Sequence, residues 1–272
     1  MKCFSMKVML IVLATGVSVV AAQDRVARAP STPSDAKAGI VSQGQAALDQ
    51  TAAANKYAFI FFWKEKNAQT DKAYGALQAA AAKLAEQADL VSVKATDPAE
   101  KPLVDRLGMS RAPLPMVLAI APCGAITKGI TATFDEDQLR QAFVSPCTAE
   151  CMKALQAQKL VLLCVHPKSA EVQLASLQKG VKDFTADPQY AANTKVLDLN
   201  ASDPAEAKFL ADLKVDAQTA APVTVLIAPP AAVVGAFPGE VTKEQLVAKL
   251  TAAQSSCCPG GKCGPNGCCP KK

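Results

Sequence analysis

The chain has 272 residues, half of them hydrophobic but only 5% aromatic, and a formal charge of +5. So small an excess of basic residues, with no Lys/Arg cluster and no aromatic interleaving, gives no support for nucleic-acid binding. An Ala-rich, aromatic-poor composition of this length fits a globular protein of one or two domains, rich in helix.

Residues 1–22 read as a secretory signal peptide. Lys2 and Lys7 precede an uncharged apolar run from Val8 to about Ala22, and Val20 and Ala22 take the −3 and −1 positions before Gln23. That run of 15 residues is short for a membrane span of ~20. The expectation is therefore an exported protein, periplasmic or secreted, with no membrane attachment once the peptide is cleaved. Cleavage would remove two lysines, taking the charge from +5 to +3, and would remove Cys3, leaving nine of the ten cysteines. Disulfides form and persist outside the cytosol, and an odd number of thiols leaves one over for a free thiol or an intermolecular bond.

Residues 23–46, beginning "QDRVARAPSTPSDAKAGIVSQGQ", are rich in Pro, Ser, Ala and Gln and read as a flexible linker. Beyond it the chain repeats itself. "ATDPAEKPLVDRL" (95–107) matches "ASDPAEAKFLADL" (201–213), "PMVLAIAP" (115–122) matches "PVTVLIAP" (222–229), and "AFIFFW" (58–63) aligns with "LVLLCV" (160–165) at an offset of 102. The first two matches lie at offsets of 106 and 107, one inserted residue apart, and together with the upstream match they indicate duplicated domains, placed at 47–146 and 147–252, with a Cys-rich tail at 253–272.

Each copy predicts the order αβαβαββα. A helix (about 47–54; 148–157) leads to a buried strand (58–63; 160–165), then a longer helix (71–88; about 168–183) and a second strand (90–94; 195–199). Asp97-Pro98 and Asp203-Pro204 carry cap-and-first-turn signals for a short helix. Pro115 or Pro222 opens a strand of apolar and β-branched residues. A last strand ends near Ile130 or Phe237, and a final helix starts at a cap, Asp135 or Thr242. Crossovers followed by a terminal hairpin predict an α/β fold in which helices flank a mixed central sheet.

That order, that length and a proline opening the third strand after "RLGMSRAPLP" resemble the thioredoxin-like fold, over about 47–143 and 149–250. The resemblance implies that this proline is cis, with Pro115 and Pro222 as candidates. Pro113 competes with Pro115, and the shared register favours Pro115. It also implies a W-C-x-x-C motif where the first strand meets its helix, with the helix N-terminus lowering the pKa of the first thiol. This chain departs from that pattern. Trp63 is present, but in "FFWKEKNAQTDK" Lys64 and Asn67 take the two cysteine positions, and in "LLCVHPKSAE" His166 and Ser169 take them. The resemblance therefore implies the fold and argues against the usual activity. His166, the one histidine of the chain, reads as a solvent-facing loop residue, or else as a metal or thiol partner of Cys164. Cys164 itself reads as an inert core residue.

The remaining sulfurs define the other candidates. In "SPCTAECMKAL", Thr148 is placed as a helix cap, with Cys147 just before it and Cys151 in the first turn. Three readings stay open there: a structural disulfide, a relocated reactive dithiol, or a disulfide from one of the pair to Cys123 in the turn "APCGA". In the tail, Cys257, Cys258, Cys263, Cys268 and Cys269 are interleaved with Gly and Pro. Five thiolates without histidine or carboxylate are a soft donor set suited to Cu(I) or Zn(II), in a spacing that resembles metallothionein-type clusters. Disulfides, intermolecular cross-links and redox use remain open for the same five. The reading that results is an exported, redox-inactive tandem scaffold for a protein or peptide partner, whose tail holds soft metal or forms cross-links. The alternative is a thiol-disulfide oxidoreductase working through Cys147/Cys151 or the tail.

Overall fold

The computed structural model describes residues 42–131, 133–167, 174–219 and 221–255. The expected signal peptide, most of the linker, Ser169 and the five tail cysteines lie outside them. Among the described residues no helix is long and apolar enough to cross a membrane.

The first copy opens with α1 (Gln43–Ala53), four residues earlier than its predicted start at 47, because the Ser42 hydroxyl accepts from Gln45 N–H at 2.9 Å and caps the helix inside the supposed linker. The run continues through β1 (Tyr57–Trp63), α2 (Ala68–Ala82), β2 (Ala88–Lys94), α3 (Lys101–Arg106), a single 3-10 turn, β3 (Met116–Ile120), β4 (Ile126–Ile130) and α4 (Glu136–Arg140). α2 stops six residues short of the predicted 88. The Ala-rich stretch has neither Gly nor Pro to mark its end, and the chain turns at Lys83 to enter β2. The second copy repeats the plan with α5 (Pro146–Gln156), β5 (Leu160–His166), α6 (Leu174–Ala186), an added short α7 (Pro188–Ala191), β6 (Thr194–Asn200), α8 (Ala207–Asp212), β7 (Val223–Ala228), β8 (Ala232–Pro238) and α9 (Lys243–Ser255). α5 starts before the predicted 148, since its cap is Ser145 rather than Thr148, with Pro146 in the first turn.

Each copy has a four-stranded sheet, in the orders β2-β1-β3-β4 and β6-β5-β7-β8. The first pair of each is parallel and the other two pairs are antiparallel. With helices on both faces, this is the thioredoxin-like fold, present twice in tandem.

The inner strands are apolar along their whole length because both their faces are covered. Phe59, Phe61, Val117 and Ala119 meet Leu77 of α2 and Leu139 of α4. On the other face Ala58, Ile60, Phe62 and Leu118 meet Leu48 of α1 and Leu103 of α3. In the second copy Val161, Leu163 and Val165 face Leu155 of α5 and Leu210 of α8. Leu162 faces Phe184 of α6 and Leu246 of α9.

Those facings correct the repeat register. Tyr57 pairs with Ala88 and Leu160 with Thr194, while Ala58 pairs with Ile120 and Val161 with Ile227. The two central strands therefore superpose at an offset of 103, not 102. A one-residue slip would turn every core side chain of β5 to the wrong face, and two uniformly apolar strands cannot reveal that from sequence.

The copies are also joined to each other. The carboxamide of Gln156 in α5 accepts from Ile126 N–H at 3.0 Å and donates to Ile126 C=O at 2.6 Å, covering the outer edge of β4 as a neighbouring strand would. Within the first copy, just before α5, the Tyr57 hydroxyl accepts from Val144 N–H at 3.1 Å and donates to Val144 C=O at 3.0 Å. Ala121, Ala125 and Ala149 fill the space between, with half-buried Cys123 and Met152 beside them.

Candidate functional site

In the first copy, β1 delivers Trp63 to the end of the sheet and α2 begins at Asn67. The Asn67 side chain accepts from Thr70 N–H at 2.9 Å, so it serves as the helix cap. Lys64 is exposed in the intervening turn. Trp63 donates its indole N–H to Ser92 Oγ at 3.0 Å, and Lys94 Nζ lies 5.7 Å from its ring centroid. The Leu114–Pro115 peptide is cis and borders an open depression of about 460 Å³ that includes Gln69, Lys72, Ala73, Thr133 and Phe134. A second hollow of about 250 Å³ lies between Trp63, Phe61, Tyr74 and Lys66. The groups available at this end are amines, a carboxamide, hydroxyls, aromatic faces and the carboxylates of Asp71 and Asp135, which suit recognition. Among the described residues none of them is a thiol.

The second copy is arranged differently from expectation. His166 is the last residue of β5, not a loop residue, and its carbonyl accepts from Ala201 N–H just as Trp63 C=O accepts from Ala95 N–H. His166 thus stands in Trp63's place, and Pro167 stands in Lys64's. The bond to Pro222 is not cis; the cis peptide of this copy is Pro229–Pro230, one hairpin turn further on. Pro222 does hold the position before the third strand that Pro115 holds, and its carbonyl accepts from Gly239 N–H.

Cys123, Cys147, Cys151 and Cys164 are free thiols. With Ser145 as the cap, Cys147 sits in the first turn of α5 and Cys151 one turn further on, and both belong to the core facing β5. Burial pushes the Cys147 thiol up to about 12, helped by the Glu206 carboxylate and then by Cys151, Asp198 and Glu150. Burial pushes Cys151 to about 11. Cys164 rises to about 12 through burial and Asp198, its partner across β6. The helix N-terminus, which by itself favours a thiolate, is outweighed at Cys147, because desolvation and a neighbouring anion both favour the neutral thiol. Among the described residues no group of three or more His, Cys, Asp or Glu side chains is gathered to hold a metal ion.

One duplicated device was not anticipated. Glu100 and Glu206 are both buried, at 5% exposure. Glu100 accepts from the Ser42 hydroxyl at 2.5 Å and from Gly44 N–H at 3.0 Å. Glu206 accepts from the Ser145 hydroxyl and from Cys147 N–H at 3.0 Å. Each carboxylate thus closes the N-terminus of its copy's first helix, where the helix dipole favours an anion. Cys147 occupies the place of Gly44, where an added Cβ would come within 2.6 Å of Leu103 Cδ2 and 2.8 Å of Glu100. The signal was present in the sequence: "DPAE" recurs intact, and Ser42 and Ser145 lie at the structural offset.

No protein-family model matches the chain, and no curated protein matches it. Among solved structures it is similar to human ERp44 in its zinc-bound form, at 10% identity over 80% of this chain and 61% of that one, with a TM-score of 0.36. It is similar to the first two thioredoxin domains of Saccharomyces cerevisiae Eps1p, at 11% identity over 75% of this chain and 94% of that one, TM-score 0.27. A third is the NTD_N/C domain of alkylhydroperoxide reductase AhpF from Enterococcus faecalis, at 14% identity over 76% and 98%, TM-score 0.26. The chain spans about 61% of the length of that ERp44 structure.

Proposed function

We propose that this tandem thioredoxin-like protein is an exported, redox-inactive scaffold. It would hold an extended protein or peptide partner across the Trp63 and Pro115 face, and use its Cys-rich tail to bind Cu(I) or Zn(II) or to form cross-links. The observation that carries the reading is Asn67. The position that would supply the second reactive sulfur is committed to capping α2, and the position of the first is Lys64. Further support comes from Cys147, Cys151 and Cys164, whose raised pKa values leave almost no thiolate near neutral pH. The metal part of the reading belongs to Cys257, Cys258, Cys263, Cys268 and Cys269, which supply sulfur and nothing else.

The test has two arms. Insulin reduction is measured with the full chain and with Cys147→Ser, and no turnover above background is expected from either. Turnover that the substitution abolishes establishes the oxidoreductase reading instead. In the second arm, protein purified anaerobically with and without residues 257–269 is weighed by native mass spectrometry. The full chain is expected to carry bound Cu or Zn that the truncation lacks, and equal metal content in the two refutes metal binding by the tail.

A further inference from the structure

The duplication allows one copy to be used as a control for the other. β4 and β8 are equivalent edge strands. Ile120 pairs with Ile126 and Ile227 with Val233, and both ladders carry the same bulge, after Ala119 and after Leu226. Ile126 turns its N–H and C=O away from β3, and both are taken up by the Gln156 carboxamide of the next copy. Val233 has the same register and therefore the same outward backbone. Among the described residues nothing equivalent to Gln156 reaches it, and its side chain, at 49% exposure, is the large hydrophobic left open to solvent.

We propose that β8 is a docking edge for a second copy of this chain, with β8 pairing to β8 antiparallel about a two-fold axis. A strand edge supplies donors and acceptors in a pattern complementary to itself under that symmetry. β8, Ala-Val-Val-Gly-Ala-Phe-Pro, has no charged or hydrogen-bonding side chain, whereas β4 carries Thr127 and Lys128. Charges that usually guard an edge are therefore missing, two copies bring no like charges together, and nothing on the strand selects a partner of different charge. Head-to-tail stacking, with α1 of a second chain covering β8 as α5 covers β4, is not reproduced by the residues. At the place of Gln156 α1 has Ala53, and at the place of Met152 it has Asp49. The bulge keeps the free run short, so the association is weak and depends on concentration.

Sedimentation velocity of the full chain over a concentration series tests this, with reductant and chelator present so that tail sulfurs neither cross-link nor share metal. Wild type is expected to move toward a dimer as concentration rises, and Val233→Lys to associate about tenfold or more weakly, since the ammonium would be buried at the pairing edge. A wild type that stays monomeric throughout, or a Val233→Lys protein that associates like wild type, overturns the proposal. If the variant fails to fold, amide exchange at Val233 in wild type decides. Exchange that slows with concentration supports β8 pairing. Exchange that is independent of concentration, whether fast or already slow in the monomer, overturns it.

Discussion

The sulfur chemistry of α5 gives the sharpest test. Cys147 is held at about 12 where an ordinary thiol has 9.0. At pH 8 that change cuts the thiolate fraction from ~10% to ~0.01%. Alkylation needs the thiolate, so Cys147 should react about 1000-fold more slowly in the folded protein than in the urea-unfolded chain. Cys164, at about 12, should match it, and Cys151, at about 11, should be slowed about 100-fold. The assay is timed iodoacetamide labelling with site-resolved mass spectrometry, read over pH 7 to 11. Glu206→Gln removes the second cause of the Cys147 shift and leaves burial, the first, so its rate should rise yet stay far below the unfolded value. The sign for stability follows. A thiol raised in the fold contributes stability that is fully present below about 9 and is lost as pH climbs from there through about 12. An apparent pKa at or below 9 for Cys147, or folded-state labelling as fast as in urea, would refute the reasoning and return the pair to the redox candidates.

Other outcomes are expected elsewhere in the fold. Glu206→Ala removes a buried acceptor from Ser145 and from Cys147 N–H, and should cost about 2–4 kcal/mol in urea unfolding. Glu100→Ala should cost a similar amount, and a loss below about 0.5 kcal/mol in either would contradict the capping role. Two mid-helix glycines should respond in opposite directions. At Gly180 an added Cβ would lie 1.9 Å from Val241 C=O, so Gly180→Ala must displace α6 and should destabilise by about 2–4 kcal/mol. At Gly75 nothing lies within 4 Å, so Gly75→Ala should stabilise by about 0.5–1 kcal/mol. Gln156→Ala frees both edge groups of Ile126 and should cost about 1–3 kcal/mol. Trp63, the single tryptophan, reports on the first copy alone. Its fluorescence transition should therefore separate from the far-UV transition in that variant, and coincident transitions would count against a role for Gln156 in joining the copies.

Much of the fold could be read from the chain because its signals are periodic and stated twice. The apolar runs at 58–63 and 160–165, the "DPAE" repeat and the proline before each third strand place the strands of both sheets. What could not be read were relations that periodicity does not encode. An offset of 103 rather than 102 is invisible when β1 and β5 are apolar at nearly every position, yet it moves His166 from the reactive-sulfur position to that of Trp63. Ser145 and Thr148 are both good caps by residue type, and the one used is the one that Glu206, some sixty residues away, engages; Cys147 then lies inside the first turn, where burial more than Glu206 raises its pKa. The cis bond at Pro229–Pro230 rather than at Pro222 has no counterpart in the first copy, where Cys123 stands at the place of Pro230.

The Tyr57 and Gln156 clamps have a mechanical consequence. Each grips a main-chain N–H and C=O together: Tyr57 fixes the last residues of the first copy, and Gln156 ties α5 to β4, so a swivel of one copy on the other must first break the Gln156 pair. The spacing of the two halves is thus set like that of a caliper with its screw tightened, and changing it carries the cost of two hydrogen bonds.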